Sequence, residues 1–446
     1  MRKTFFDRCV SFLAILILVI YPVSVYASTF TDSSCTGEFG SGTNSDTECS
    51  SEQVQLDSTG LTNGSGNFTS RILSASSATW STLAWSPYQP YLKELPDSKG
   101  ADSGYTAGNI DMTDNILLYH MNDSSGDLVD SSSNGYTGTV TGATLGATGI
   151  LNTGVSFDGN DKITVSDSDA LSLNTTGNLS VAFWVKTGSN VTSLQKILEK
   201  GGIASDANFE WTVDIYNSKF RAAYSASNGN TIRSEQSNVT LSTNTWYHVV
   251  AVFTGYTSTN EVYIYVNGAE GSTVTGQAGY SYSNTATQLG IGTGYGGHVL
   301  NYFSGSLDEL AIFSDALTAT EALDIYKRGA LTLKYQVRSC DDSACSGESF
   351  IGPDGTNSTY YSELTSAENG TPSKTLSNVS DNSYFQYKAF LSTLNSSYTP
   401  VLLDATITYS STAGIPEFSD AVYVVILLFG MYYIARFSSR KDMVSS

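Results

Sequence analysis

Apolar and polar residues alternate at period two along most of this chain, and long helical periodicity is almost absent. The centre, from about Asn115 to Gly329, carries the densest succession. GVSFDGNDKITV, LSVAFWVKT, TWYHVVAVFTG and EVYIYVNGAEG follow one another, separated by Gly, Asn and Ser clusters that favour turns. The flanks alternate too. NFTSRILSASSATWSTLAWSP (Asn67 to Pro87) predicts two strands, with Trp80 and Trp85. LTLKYQVRSCDD, SFIGPDGTNSTYY and YFQYKAFLSTLNSSYTPVLLDATITYS predict more on the far side. Neither flank has enough strands to bury both faces of a sheet. Joined, they give about seven, the usual complement of a sandwich. The pattern therefore predicts an all-β protein in which a central sandwich, 111–329, is inserted into a second, discontinuous one built from 28–110 and 330–410. Insertion at a loop tip is tolerated when the termini of the inserted domain lie close together. Three serial units would leave the N-terminal piece without a core.

The two ends read differently. Arg2, Lys3 and Arg8 precede an apolar run, Val10 to Ile20, and Val25-Tyr26-Ala27 supplies a small-residue cleavage site. This predicts an export signal over 1–27, with Ser28 as the mature start. At the other end a polar linker, Ser410 to Gly414, leads to Ile415-Pro416-Glu417-Phe418. An apolar stretch, Ala421 to Ala435, and the basic residues Arg436, Arg440 and Lys441 follow. The segment 415–441 is expected to cross the membrane, with its positive end cytoplasmic and the bulk of the chain outside.

Composition narrows the class. A formal charge of −20 excludes nucleic acid as a partner, since phosphates would be repelled. Charged residues are only 14 % of the chain, so the acidity is diffuse. Once the signal and Cys9 are removed, Cys35, Cys49, Cys340 and Cys345 remain. An even count in an exported chain predicts two disulfides. Three pairings are formally possible; the local one, Cys35–Cys49 with Cys340–Cys345, is expected because each closes a short polar loop. About eleven N-x-S/T sequons, among them Asn63, Asn67, Asn238, Asn357 and Asn378, make the exported chain a candidate glycoprotein.

Little here suggests catalysis. His120, His248 and His298 are scattered, and there is no HExxH. Glu199, Glu210 and Glu261 stand singly on different predicted strands, without the paired carboxylates that glycosidic cleavage requires. No nucleophile elbow appears in a strand–turn–helix setting. The chemistry on offer is aromatic. Trp184, Trp246, Val250, Val252, Tyr263 and Tyr265 share one alternating face and read as core or concave-face residues. Tyr216, Tyr224, Tyr280, Tyr282, Tyr295 and Tyr302 lie near loops or strand ends and are the expected ligand contacts, because sugar rings present apolar C–H faces that an exposed tyrosine can stack upon.

The central phrases, opened by NILLYHMNDSSGDLVDSSSNGYTG and closed by FSGSLDELAIFSDALTATEALDIYKRG, resemble the laminin G-like / concanavalin A-like lectin-glucanase jelly-roll superfamily. The flanks, with TSR-x-x-x-A before and QVRSCDD after, resemble a β-sandwich module of bacterial and archaeal surface proteins. The Pro-Glu-Phe motif, helix and basic tail are similar to the sorting tails processed by exosortase- or archaeosortase-type transpeptidases. The jelly-roll resemblance implies a calcium ion where first and last strands meet, carried over to Asp130, Asn134 and Asp308. Asp123, Asp158, Asp161 and Glu309 stand in the same oxygen-rich phrases, which suit that hard cation. Turn chemistry alone also accounts for Asp130 and Asn134. Together these features predict a non-enzymatic protein held at the cell surface that binds an extracellular glycan, surface polymer or protein. The alternative is a structural envelope component of S-layer or sheath type.

Overall fold

The computed structural model describes residues 25–173, 177–201, 209–225, 232–254, 261–275, 285–294, 301–364 and 370–412. Two sandwiches account for nearly all of them. In the first, a six-stranded sheet runs Ser373–Thr375, Ala78–Pro87, Val401–Thr412, Gln53–Leu56, Thr47–Ser50, with Val25–Asp32 also paired to Val401–Thr412. Its facing sheet contains Thr43–Ser45, Ser65–Thr69, Tyr384–Thr393 and Leu331–Cys340, with Leu73–Ser74 on the edge of Tyr384–Thr393. Strands from before and after the central domain thus pair with one another within both sheets. One core unites them, including Val54, Phe68, Trp80 and Trp85 from one side of the chain and Leu333, Tyr335, Phe385 and Ile407 from the other. Cys35 is bonded to Cys49 and Cys340 to Cys345.

The second sandwich is the jelly roll. Its eight-stranded sheet includes Leu179–Thr187, Trp246–Phe253, Glu261–Val266 and Ser304–Phe313. Its seven-stranded sheet includes Gln195–Gly201, Phe209–Tyr216 and Lys219–Ser225. Alternation sends Val181, Phe183, Val249, Ala251 and Ile264 inward to meet Trp211, Val213, Ile215 and Phe220 of the opposite sheet.

The outer face of the eight-stranded sheet is apolar as well, and this corrects one expectation. Trp184, Trp246, Val250, Val252, Tyr263 and Tyr265 do share a parity, but they face out of the jelly roll. Val250, Val252 and Tyr265 are covered by Ala322 and Ile325 of the helix Ala319–Ala330 and by Leu95, Ile110 and Met112 of the segment 88–114. A sheet buried on both faces loses its polar side, so alternation no longer marks which side is the core. The helix opens with a capping box. Thr318 Oγ1 accepts from the Glu321 N–H and Glu321 Oε2 accepts from the Thr318 N–H.

A buried ionic knot joins the two sandwiches. Asp102 Oδ1 lies 2.8 Å from Lys93 Nζ and Asp102 Oδ2 lies 2.7 Å from Arg328 Nη1. Arg328 Nε and Nη2 also donate to the Glu94 carbonyl, at 3.0 and 2.9 Å. Lys93 Nζ donates to the Tyr105 hydroxyl, which donates to Glu363 Oε2 at 2.7 Å. Lys93, Asp102 and Tyr105 belong to 88–114, Arg328 to the jelly-roll helix, and Glu363 to the first sandwich. Burial pushes the Glu363 carboxyl up to about 7, against the opposing pulls of the Tyr105 hydrogen bond, Lys93 and Arg328.

This carries a signed consequence. A carboxyl raised above its ordinary value of 4.5 holds its proton more tightly in the folded state. Its contribution to stability is present at low pH and lost as pH rises through about 7. The melting temperature of the native chain should therefore fall more steeply between pH 4.5 and 7 than that of Glu363→Gln. Equal slopes in scanning calorimetry would refute this.

Among the described residues no helix is long and apolar enough to cross a membrane. Most of the predicted signal, and the whole sorting or transmembrane segment 415–441, lie outside the described residues. The strand Val25–Asp32 begins inside the segment 1–27. Its pairs from Ser28↔Tyr409 to Asp32↔Ala405 use only residues of the expected mature chain.

Candidate functional site

The outer face of the seven-stranded sheet is built from a tight hairpin. Phe209–Tyr216 and Lys219–Ser225 are joined by Asn217-Ser218, both with positive φ, the backbone that a two-residue hairpin turn requires. That turn fixes the register, so Asp214 lies opposite Arg221 and Tyr216 opposite Lys219. With Trp211, Val213 and Ile215 in the core, Thr212, Asp214 and Tyr216 point out of it.

The outward side chains form one continuous chain of contacts. Tyr216 is 44 % exposed, and the Arg221 guanidinium carbon sits 4.6 Å from its ring centroid. Arg221 grips Asp214 with two hydrogen bonds, Nε to Oδ1 at 2.9 Å and Nη2 to Oδ2 at 2.7 Å. Asp214 also accepts from Lys196 Nζ at 3.1 Å, and Lys196 Nζ lies 2.9 Å from Glu199 Oε2. Asp214, Lys196 and Glu199 are buried, while Arg221 is partly exposed and Tyr216 open to solvent. Two cations and two carboxylates balance. A forked guanidinium–carboxylate pair has one preferred geometry, so it fixes the cation over the tyrosine. The result is a flat, exposed ring on a rigid support.

The other expected contacts are distributed. Tyr224 is buried and its ring belongs to the core. It lies at the same parity as Phe220 and Ala222, so it does not face a ligand, and its place near a strand end hid this in the sequence. Tyr302 is partly buried and bridges to Lys196, whose N–H donates to the Asn301 carbonyl at 2.8 Å. Tyr280, Tyr282 and Tyr295 lie outside the described residues. Lys196, Glu199, Asp214 and Arg221 were missed as a site. The readable signal was the hairpin register, which aligns FEWTVDIY with KFRAAYS about Asn217-Ser218.

The three calcium candidates serve two different turns. Asp130 accepts from the N–H groups of Leu118, Ser132 and Tyr136, and Asn134 Nδ2 donates to the Ile116 carbonyl. Both order one turn against the strand Asn115–Tyr119. Asp308 serves another turn: its Oδ2 accepts from the N–H groups of Ile150 and Leu151, at 2.7 and 2.9 Å. The two sets have no partner in common. Burial, reinforced by neighbouring Glu309, holds the Asp308 carboxyl well above the usual carboxylate range. Glu309 is spent elsewhere, accepting from the Leu95 N–H at 2.6 Å and pairing with His120 at 2.9 Å. Turn chemistry accounts for Asp130 and Asn134, whereas Asp308 Oδ1 is buried with no hydrogen-bond partner among the described residues.

Residues 157–322 match the family model described as the concanavalin A-like lectin/glucanases superfamily. No curated protein matches the chain. Several solved structures are similar. The binding domain of Paraclostridial Mosquitocidal Protein 1 is 13 % identical with a TM-score of 0.39, over 54 % of this chain and 67 % of that one. Domain 4 of AbnA, a GH43 extracellular arabinanase from Geobacillus stearothermophilus in complex with arabinotriose, is 20 % identical with a TM-score of 0.36. That match covers 48 % of this chain and 98 % of the domain. The binding domain of botulinum neurotoxin serotype D/C VPI 5993 is 12 % identical with a TM-score of 0.37. There the chain covers 58 % of the domain's length, with 51 % of itself. By the family model, the segment 157–322 of the jelly roll is lectin-like in fold.

Proposed function

We propose that this is an exported, surface-held protein that binds an extracellular glycan or surface polymer through its jelly roll and does not transform it. The observation that carries the reading is the exposed Tyr216 ring, fixed on Arg221, Asp214, Lys196 and Glu199. A preordered aromatic face loses little entropy on binding and suits the C–H face of a sugar ring. The reading of binding without hydrolysis rests on the nearby carboxylates, Glu199 and Asp214, being held by one ammonium, at 2.9 and 3.1 Å. The two disulfides agree with an oxidising, extracellular setting.

The test is retention of the purified chain on immobilised polysaccharides and envelope polymers. Tyr216→Ala should weaken the bound polymer about tenfold, equivalent to ~1.4 kcal/mol. It should leave the melting temperature nearly unchanged, because the ring is exposed. Retention by no polymer, or equal retention of the variant, would overturn the reading.

A further inference from the structure

On the opposite side of the jelly roll lies a cavity of about 420 Å³, within the range that takes small ligands. Trp184 faces outward from the eight-stranded sheet and lies against His248, with ring centroids 5.1 Å apart. Tyr326 comes in from the helix Ala319–Ala330, 5.7 Å from the Trp184 ring. Gly329 seats the helix end on the indole: a Cβ there would come within 2.8 Å of Trp184. Trp246, only partly buried, completes the aromatic wall.

The first sandwich contributes as well. Leu394, 61 % exposed, lines the same cavity, and its N–H donates to the Ala330 carbonyl at 2.9 Å. The wall is therefore composite, and it exists because one sandwich is inserted in the other.

The polar part of the lining is neutral. Asn244 and Asn267 contribute amides, and the Asn267 oxygen already accepts from the His248 N–H at 2.9 Å. Among the described residues the Asn267 amide nitrogen and the Asn244 side chain have no hydrogen-bond partner in the protein. No charged side chain lines the cavity among the described residues, although the whole chain carries a net charge of −20. A phosphate or carboxylate would find no counter-charge here. A purely apolar occupant would bury the amides unpaired, which is costly. A neutral molecule with apolar C–H faces and hydroxyl edges satisfies both surfaces.

We propose that this cavity is a second binding site and that it takes a short neutral saccharide, held between Trp246 and Tyr326 and hydrogen-bonded by Asn244 and Asn267. The proposal rests on the reading that the protein binds glycans, but its site is separate from the Tyr216 platform.

Saturation-transfer NMR on the purified full chain, with maltotriose, cellotriose and triacetylchitotriose as probes, tests it. At least one probe should show transfer to its ring protons. Trp246→Ala and Leu394→Arg should each weaken that probe at least tenfold, and Tyr216→Ala should leave it unchanged. Leu394 is exposed, so its variant keeps the test valid if Trp246→Ala proves unstable. Transfer that survives both cavity variants overturns the proposal. Loss in Tyr216→Ala alone also overturns it and leaves the platform reading standing. Transfer from none of the probes overturns it too, while polymer retention still decides the platform reading on its own.

Discussion

Replacing Arg328 with methionine should cost about 3–5 kcal/mol of stability, the usual range for breaking a buried ion pair from one side. Arg328 is 2 % exposed and Asp102 is held between it and Lys93. Burial opposes the charge on Asp102, but Arg328 and Lys93 together outweigh it and keep the carboxyl below its ordinary range. Without the guanidinium, Asp102 keeps one cation and the Glu94 carbonyl loses both of its side-chain donors. Methionine fills the volume and satisfies neither. The knot contains residues of the first sandwich, the connecting segment and the jelly-roll helix, so both sandwiches should lose stability together. Urea denaturation followed by circular dichroism measures the loss. A loss under about 1 kcal/mol would mean that the pair behaves as an exposed salt bridge and that the junction is wetter than its burial indicates.

The sandwich architecture was legible in the sequence because β-strands with one polar face announce themselves at period two. Trp80 and Trp85 on one side and the QVRSCDD and TPVLLDATITY runs on the other read as strands on that ground. Alternation failed where both faces are covered. Around Trp184 and Val250 it gave the parity but not the direction, since the helix and the 88–114 segment hide the second face. The knot was illegible for a related reason. Lys93 and Asp102 stand nine residues apart, but Arg328 lies 226 residues beyond Asp102 and Glu363 further still, in segments without a common period. Nothing local distinguishes a lysine destined for burial from one on a solvated loop. Asp308 was ambiguous in another way. Its side chain works for the backbone, and a carboxylate that caps a turn has the same composition signal as one that holds a metal. The Tyr216 support was half legible: the exposed tyrosine was expected, but its partners follow only from the hairpin register.

Trp211→Ala should destabilise the jelly roll by about 3–5 kcal/mol, the range for truncating a buried aromatic. The ring is fully buried in the seven-stranded sheet and packs 6.2 Å, centroid to centroid, from Phe253 of the facing sheet. It therefore carries contact between the two layers. Its Nε1–H also donates to the Leu171 carbonyl at 2.9 Å, tying down the short turn Asp169–Leu171. Substitution by phenylalanine separates these roles. Trp211→Phe keeps most of the ring but leaves a buried carbonyl unpaired, a loss of about 1–3 kcal/mol. Trp85 of the first sandwich provides the control. It is equally buried, packs 4.7 Å from Tyr335, and its Nε1 has no hydrogen-bond partner among the described residues. Trp85→Phe surrenders volume but no hydrogen bond, and it relieves an unpaired donor. The phenylalanine substitution should thus cost more at Trp211 than at Trp85, although the two rings are the same size and equally hidden. Equilibrium urea unfolding of both variants decides it. Equal losses would mean that packing alone sets the energetics at Trp211 and that its tie to Leu171 contributes nothing.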